Sequence, residues 1–534
     1  MPELFGIQRR WHHAILYIVL GCVCLVQLQV AVRTDLIDDD ILLIVPVTNA
    51  STGSMISPAD GIAADFVPNK PGVFWRPLTR ITYRIGVFLW GLYPAYALLS
   101  WALHLLVLFI IYRFARRVLD FSHGLALIAV IGFSAAFCNM EGVMQLASTG
   151  DKYLLIFLLL GFMSKGVIPH TLLCIGSIMA KEPGVMYPVI VGGFHLLSNP
   201  KFWRVQFRQL FPAFAISFLY GLWFLHRLNA YGHIVPVDTP PERGFWAIWI
   251  VYVHALAANL IPGGQTIMYT PILGQNAAHY IDHAHLPALA TLSFLLGIIA
   301  FFTLLLMFLR AARNLAYRSS NHPQRDAFII IAAQVFLIMG YSHIKGGGLV
   351  SRYMYIANAF VILALACGID SVRAHTASMG RSFRLAIRWI AALVFACWLV
   401  IQAVEYIASP TIDYYTRQMR TARVQALALR EWVFAHRPRA GSMLVLSETA
   451  YQGWTFYKSG QVQAWGQVLM PDMFWVRLEE EVPRDAPPPL PGMPTYWLEW
   501  MAEDRTWRLA READPTAPPT TPADGDSMAS QRVP

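Results

Sequence analysis

The chain has 534 residues, of which 56% are hydrophobic and only 14% charged, where a soluble domain carries about 25% charged residues. A water-soluble globule of this length is excluded as the main body. One large membrane-embedded body replaces the roughly two to four domains that length alone would give. The net charge of +9 does not mark a nucleic-acid binder. The basic residues fall between apolar runs and form no single patch, which is the pattern of the positive-inside rule.

In chain order, Arg9 and Arg10 precede an apolar run from about Ala14 to Val32. The run is long for a signal-peptide core and has no convincing cleavage site, so it reads as an uncleaved first span. Further runs follow at 94–112, 122–138, 144–163, 166–180, 184–198, 209–225, 287–309, 327–344, 353–369 and 389–407. Each is long enough to cross, or nearly cross, a ~30 Å hydrocarbon core. The run 245–261 is ambiguous.

Charge decides the topology. With the N-terminus inside, the clusters Arg113/Arg116/Arg117, Lys165, Lys201/Arg204/Arg208, Arg310/Arg313/Arg318/Arg325 and Arg373/Arg381/Arg384/Arg388 all face the cytoplasm. This requires eleven crossings, with 245–261 outside or re-entrant and the C-terminus outside. The expected fold is an α-helical polytopic membrane protein with its transmembrane body over 1–407 and a first outer loop at 33–93, including a helix after Pro77. A small extracytoplasmic α/β region spans 408–512, with a helix near 413–436, a strand at 442–448 and a hairpin over "TYWLEWMAEDRTWRLARE". Residues 513–534, rich in Pro, Thr, Ala and Asp, are expected to be disordered. The six cysteines lie in or beside apolar runs and read as small core hydrophobes.

Ionisable groups gather at the outer ends of the predicted spans: Asp38, Asp39 and Asp40, Arg76, Glu141 and Asp151, Lys181 and Glu182, and Arg352. Each has a plain structural reading. The acidic run is solvated, Arg76 snorkels, Lys181–Glu182 is an ion pair, and Asp151–Lys152 ends a helix. Their convergence on one face favours chemistry instead, since such groups at membrane depth are expensive. A carboxylate can deprotonate an acceptor, and Arg matches the geometry of a departing phosphate.

Taken in order, "DD", "WRPL", His104, Glu141 ten residues ahead of Asp151, "KEPGVMYP" and "SRYMY" resemble the polyprenyl-phosphate-dependent GT-C glycosyltransferases. The resemblance is closest to the transmembrane-and-tetratricopeptide O-mannosyltransferases and their bacterial relatives, and it runs from about 35 to 370. Thr149 stands where that family has Arg, Ala97 and Ser100 where it has His and Asn, and no repeat tail follows.

The resemblance implies a GT-C-like bundle and an inverting transfer of a sugar, mannose among the candidates, from a polyprenyl-phosphate donor to a protein or glycan acceptor. Asp39 or Asp40 would activate the acceptor, and Arg76 and Arg352 would hold the donor phosphate. His104, Glu141, Asp151, Lys181 and Glu182 would shape the substrate cavity. The expected setting is a bacterial inner membrane with the site facing the periplasm. No cofactor is called for and a divalent metal is left open, since "HYIDHAH" places His279 and His283 on one helical face. The alternatives are a transporter or flippase for an anionic lipid-linked or envelope substrate, and a scaffold for envelope assembly. Asp60→Cys and Gly460→Cys, each on a cysteine-free chain, are expected to react with a membrane-impermeant maleimide on intact cells. Reaction of either only after permeabilisation overturns this topology.

Overall fold

The computed structural model describes residues 2–34, 75–90, 96–230, 287–344, 351–376, 380–408, 419–438, 442–446, 474–478, 494–501 and 503–513, together with Val253, Leu256, Ile412 and Thr416. Asp38, Asp39, Asp40, the segment "HYIDHAH", the rest of 245–261 and the tail from 514 lie outside the described residues. The chain forms two compact units; among the described residues the first runs to Met419 and the second from Arg420.

The first unit is helical. Its helices are α1 (Pro2–Arg33), α2 (Pro77–Trp90), α3 (Tyr96–Arg117), α4 (His123–Ala135), the short α5 (Met140–Met144), α6 (Thr149–Met163) and α7 (Val167–Ala180). They continue with α8 (Tyr187–Ser198), α9 (Trp203–Ala230), α10 (Pro287–Ala316), α11 (Pro323–Ile344), α12 (Ser351–Thr376) and α13 (Arg381–Ala408). Four of them, α1, α2, α10 and α11, begin at a proline and α8 has one at its second position; proline's fixed φ and missing N–H suit a first helical turn. Ser122 caps α4 by accepting from the Leu125 amide.

Among the described residues, six helices are long and apolar enough to cross a membrane: Trp11–Arg33, Tyr96–Arg117, Pro200–Arg227, Leu295–Ala316, Met354–Arg373 and Ser382–Val404. The chain is a helical membrane protein. All eleven predicted runs fall on helices, but eleven crossings exceed what these helices show. Helices α4, α6, α7 and α8 have 13, 15, 14 and 12 residues, or about 18–22 Å at 1.5 Å per residue. That is short of a ~30 Å core. The ends at Ala135, Thr149, Ala180 and Tyr187 are buried in protein, the setting in which irregular backbone is tolerated at membrane depth.

Aromatic rings from five helices form the centre of this unit. Phe162 of α6 meets Phe114 of α3 at 5.5 Å, Phe194 of α8 at 4.7 Å and Phe360 of α12 at 6.0 Å, and Phe328 of α11 meets Phe360 at 5.3 Å. All five side chains are buried, and such pairs add about 0.5–1.5 kcal/mol each beyond area burial. Polar ties join the outer helices. Gln27 of α1 donates to the Ser134 carbonyl of α4 at 2.7 Å, and Gln402 of α13 accepts from the Phe137 amide at 2.7 Å.

One arginine fastens the end of the bundle where α3 turns into α4. Arg325, in the first turn of α11, donates to Asp370 of α12 at 2.7 Å and to the Leu119 and Asp120 carbonyls at 2.5 and 2.7 Å. Its guanidinium also lies over the Phe121 ring, 5.4 Å from the centroid. Three elements therefore share one side chain.

The second unit holds α14 (Met419–His436) and a four-stranded sheet in the order β2-β1-β3-β4. Strand β1 (Ser442–Leu446) pairs in parallel with β2 (Phe474–Leu478) and with β3 (Thr495–Met501). The expected hairpin forms from β3 and the antiparallel β4 (Thr506–Ala513). Trp507 Nε1 donates to the Gln425 carbonyl at 2.8 Å, tying β4 to α14.

Arg325→Ala is expected to destabilise the detergent-solubilised protein by about 2–3 kcal/mol, the scale of charge-assisted bonds lost together, read as a lower melting temperature. Arg325→Lys should recover less than half, because Lys keeps the charge but cannot fork. An unchanged melting temperature for Arg325→Ala removes its fastening role.

Candidate functional site

The end of the bundle opposite Arg325 collects most of the described candidate residues. Arg76 directly precedes α2, and its Nε and Nη2 donate to the two Glu182 carboxylate oxygens at 2.7 Å each. This is the bidentate geometry for which a guanidinium is suited. Glu182 opens a 3-10 turn, Glu182–Met186. Lys181, one residue earlier, is the extended residue that ends α7. Its Nζ donates to Asp151 Oδ1 and Oδ2 at 2.8 and 2.7 Å.

Helix polarity favours this second pair on both sides. Asp151 sits in the first turn of α6, where a carboxylate meets the positive end of the helix dipole. Lys181 sits at the last turn of α7, where a cation meets the negative end. The two helices can approach because residue 150 has no side chain. A Cβ on Gly150 would lie 2.8 Å from the Ala180 carbonyl oxygen. Thr79 of α2 donates to that same carbonyl at 3.3 Å, so α2, α6 and α7 meet at one point.

Burial separates the two pairs. The Lys181 and Asp151 side chains are 11% and 4% exposed, against 28% and 14% for Arg76 and Glu182. The first pair is interior and the second forms its rim. Lys181 and Glu182, adjacent in sequence and read there as a pair, each have a distant partner.

A polar layer adjoins the inner pair. Lys152 is fully buried, and its Nζ donates to Ser100 Oγ at 2.6 Å and Ser148 Oγ at 3.0 Å. Ser100 in turn donates to the Gln145 carbonyl at 2.8 Å, and Ser148 to the Gly142 carbonyl at 2.7 Å. His104 is buried, with Nδ1 2.6 Å from the Tyr355 hydroxyl of α12. Asn358, one turn further along α12, donates to Asn139 Oδ1 at 2.9 Å.

Arg76, Asp151, Lys181 and Glu182 thus come together, while His104 is packed into the polar layer and bonded to Tyr355. Glu141 lies on α5 and Arg352 in the first turn of α12, their side chains outside the described set. Asp39 and Asp40 lie outside the described residues altogether. Sequence reasoning passed over Lys152 as part of a helix end. Its signal was a cation leading directly into "YLLIFLLL", a run with nothing to solvate it. Among the described residues no cluster of three His, Cys, Asp or Glu side chains could hold a metal ion. The sequence matches no protein-family model and no curated protein.

Breaking a buried ion pair strands the survivor. Asp151→Ala is expected to cost about 3–5 kcal/mol of stability, whereas Arg76→Ala at the more exposed rim should cost less, about 1 kcal/mol. The double variant Asp151→Leu with Lys181→Met should recover most of the loss, because an apolar pair of similar volume leaves no charge behind. Thermal melting in detergent checks the order, and equal losses for Asp151→Ala and the double variant contradict it.

Proposed function

We propose that the chain is a membrane glycosyltransferase of the GT-C type. It moves a sugar from a polyprenyl-phosphate donor to a protein or glycan acceptor at the periplasmic face of a bacterial inner membrane. In this reading the short helices complete eleven crossings by packing within the bundle. The observation that carries the reading is the meeting of the Arg76–Glu182 and Lys181–Asp151 pairs at one end of an apolar bundle.

The chemistry needs an acceptor O–H that loses its proton to a carboxylate, here Asp39 or Asp40. The oxygen then attacks the anomeric carbon while the carbon–oxygen bond to phosphate breaks, and the lipid phosphate leaves with the electron pair. Arg76 and Arg352 take up that developing charge. Glu182 holds the Arg76 fork in one orientation, so a phosphate meets a guanidinium that has already lost its rotamer freedom. Asp151 and Lys181, locked to one another, shape the wall of the cavity.

A transporter would place its charged substrate groups near the bilayer midplane. Asp151, Lys152 and Lys181 instead stand at helix ends, which favours the transferase.

The reading is tested by release of free polyprenyl phosphate from a labelled lipid-linked sugar in the presence of candidate acceptors. Arg76→Ala and Arg352→Ala should each lower kcat/KM about tenfold to a hundredfold, the equivalent of roughly 1.5–3 kcal/mol per charge-assisted bond. Asn at position 39 or 40 should lower turnover about a hundredfold or more, the scale of general-base catalysis. No release with any lipid-linked sugar, or wild-type turnover in both Asn variants, removes the proposed mechanism.

A further inference from the structure

Tyr355 is the most constrained side chain in the polar layer. It is fully buried, and its ring meets Phe133 at 5.1 Å, with the Lys152 ammonium 6.0 Å from its centroid. On another side it lies against α5, where a Cβ on Gly142 would fall 2.4 Å from the Tyr355 ring. Real Cβ atoms do not approach that closely, so glycine at 142 is what admits the ring. Its hydroxyl is 2.6 Å from His104 Nδ1.

The imidazole is held in an unusual way. His104 is fully buried, and its Nε2 has no hydrogen-bond partner among the described residues. Buried polar atoms are nearly always paired, and an apolar residue would fill the same space without that penalty. Among the described residues the imidazole makes one hydrogen bond, the one to Tyr355.

Two predicted site residues stand beside this ring in the chain. Glu141 immediately precedes Gly142 on α5, and Arg352 is one turn ahead of Tyr355 at the start of α12. Glu141 has no long helix to set its position, since α5 is a single five-residue turn, and Arg352 lies in the terminal turn of α12, where helices fray. We propose that the His104–Tyr355 pair is a positioning device that fixes the Glu141 and Arg352 backbone against α3, so that His104 serves the site through Tyr355 and does not touch substrate. The assignment deepens the transferase reading and rests on it for its effect on catalysis, but the placement of residue 352 can be measured apart from activity.

The experiment uses the full chain in native membranes. Arg352→Cys is labelled with a small charged maleimide and quantified by peptide mass spectrometry, alone and combined with Tyr355→Phe, His104→Leu or His104→Asn. Tyr355→Phe and His104→Leu each delete the bond, and the labelling rate at 352 should change at least fivefold. His104→Asn keeps a polar group near the Nδ1 position, and the rate should return toward the parent value. In chains that retain Arg352, Tyr355→Phe should raise the donor KM about tenfold with a smaller change in kcat, while the melting temperature shifts by a few degrees at most.

Parent-like labelling and parent-like donor KM in Tyr355→Phe overturn the proposal, as does a loss of melting temperature with no change in either. If the parent releases no polyprenyl phosphate at all, the transferase reading falls, and the labelling rates still decide whether the pair positions α12.

Discussion

A lysine at the C-terminus of one helix and an aspartate at the N-terminus of the next can neutralise each other and both helix dipoles at once. Lys181 and Asp151 do this across α7 and α6, with both side chains almost fully removed from solvent. The desolvation cost of a buried pair usually cancels much of its attraction. Here each charge also stands at the helix end whose dipole favours it. The pair therefore determines where two helices end, and it fixes the turn that presents Glu182 to Arg76. Gly150 is the steric condition for the arrangement, since any larger residue would hold the helix ends apart.

The two ends of the bundle solve their polar requirements differently. At the Arg325 end, one guanidinium gathers two loop carbonyls and a carboxylate, so a single side chain joins three elements. At the other end the charges are matched one to one, and beneath them Lys152 passes its hydrogen bonds through serines to backbone carbonyls. The first design suits a fixed closure. The second keeps charged groups in register at a rim while leaving their surroundings polar.

Much of the helical organisation was legible because apolar runs in this sequence are long and interrupted by charge or proline. All eleven predicted runs fall on helices, and the hairpin of β3 and β4 follows from alternation around "AEDRT". Hydropathy alone did not separate long spans from short ones: among the described residues, six of the helices that carry these runs are long and apolar enough to cross. Hydropathy reports that a segment avoids water, and α4, α6, α7 and α8 avoid it by packing against other helices over lengths too short to span alone. The partners of the charges were hidden as well. Arg76 and Glu182 lie 106 positions apart, and their pairing depends on how α2 meets α7. Lys152 looked like a helix end because sequence cannot show that its neighbours in space are Ser100 and Ser148. Strand β2 was missed for a related reason: "FWVRL" is short and lacks clear alternation, and it becomes a strand by pairing with β1.

Hydrophobic burial cannot select one arrangement of apolar helices in a bilayer, because lipid tails are as apolar as leucine. Selection has to come from bonds that lipid cannot offer and from close approaches that only small residues permit. The contacts that tie distant helices here are of those kinds: Gln27 to the Ser134 carbonyl, Gln402 to the Phe137 amide, Asn358 to Asn139, and the ring of Tyr355 over Gly142. All four involve residues 134–142, the stretch that leaves α4 and leads to Glu141. That stretch is broken into short turns and has no regular helix to define its path. Bonds from α1, α12 and α13 define it instead, which is why apolar replacements at positions 27, 358 and 402 would leave the bundle embedded but this stretch without its polar ties.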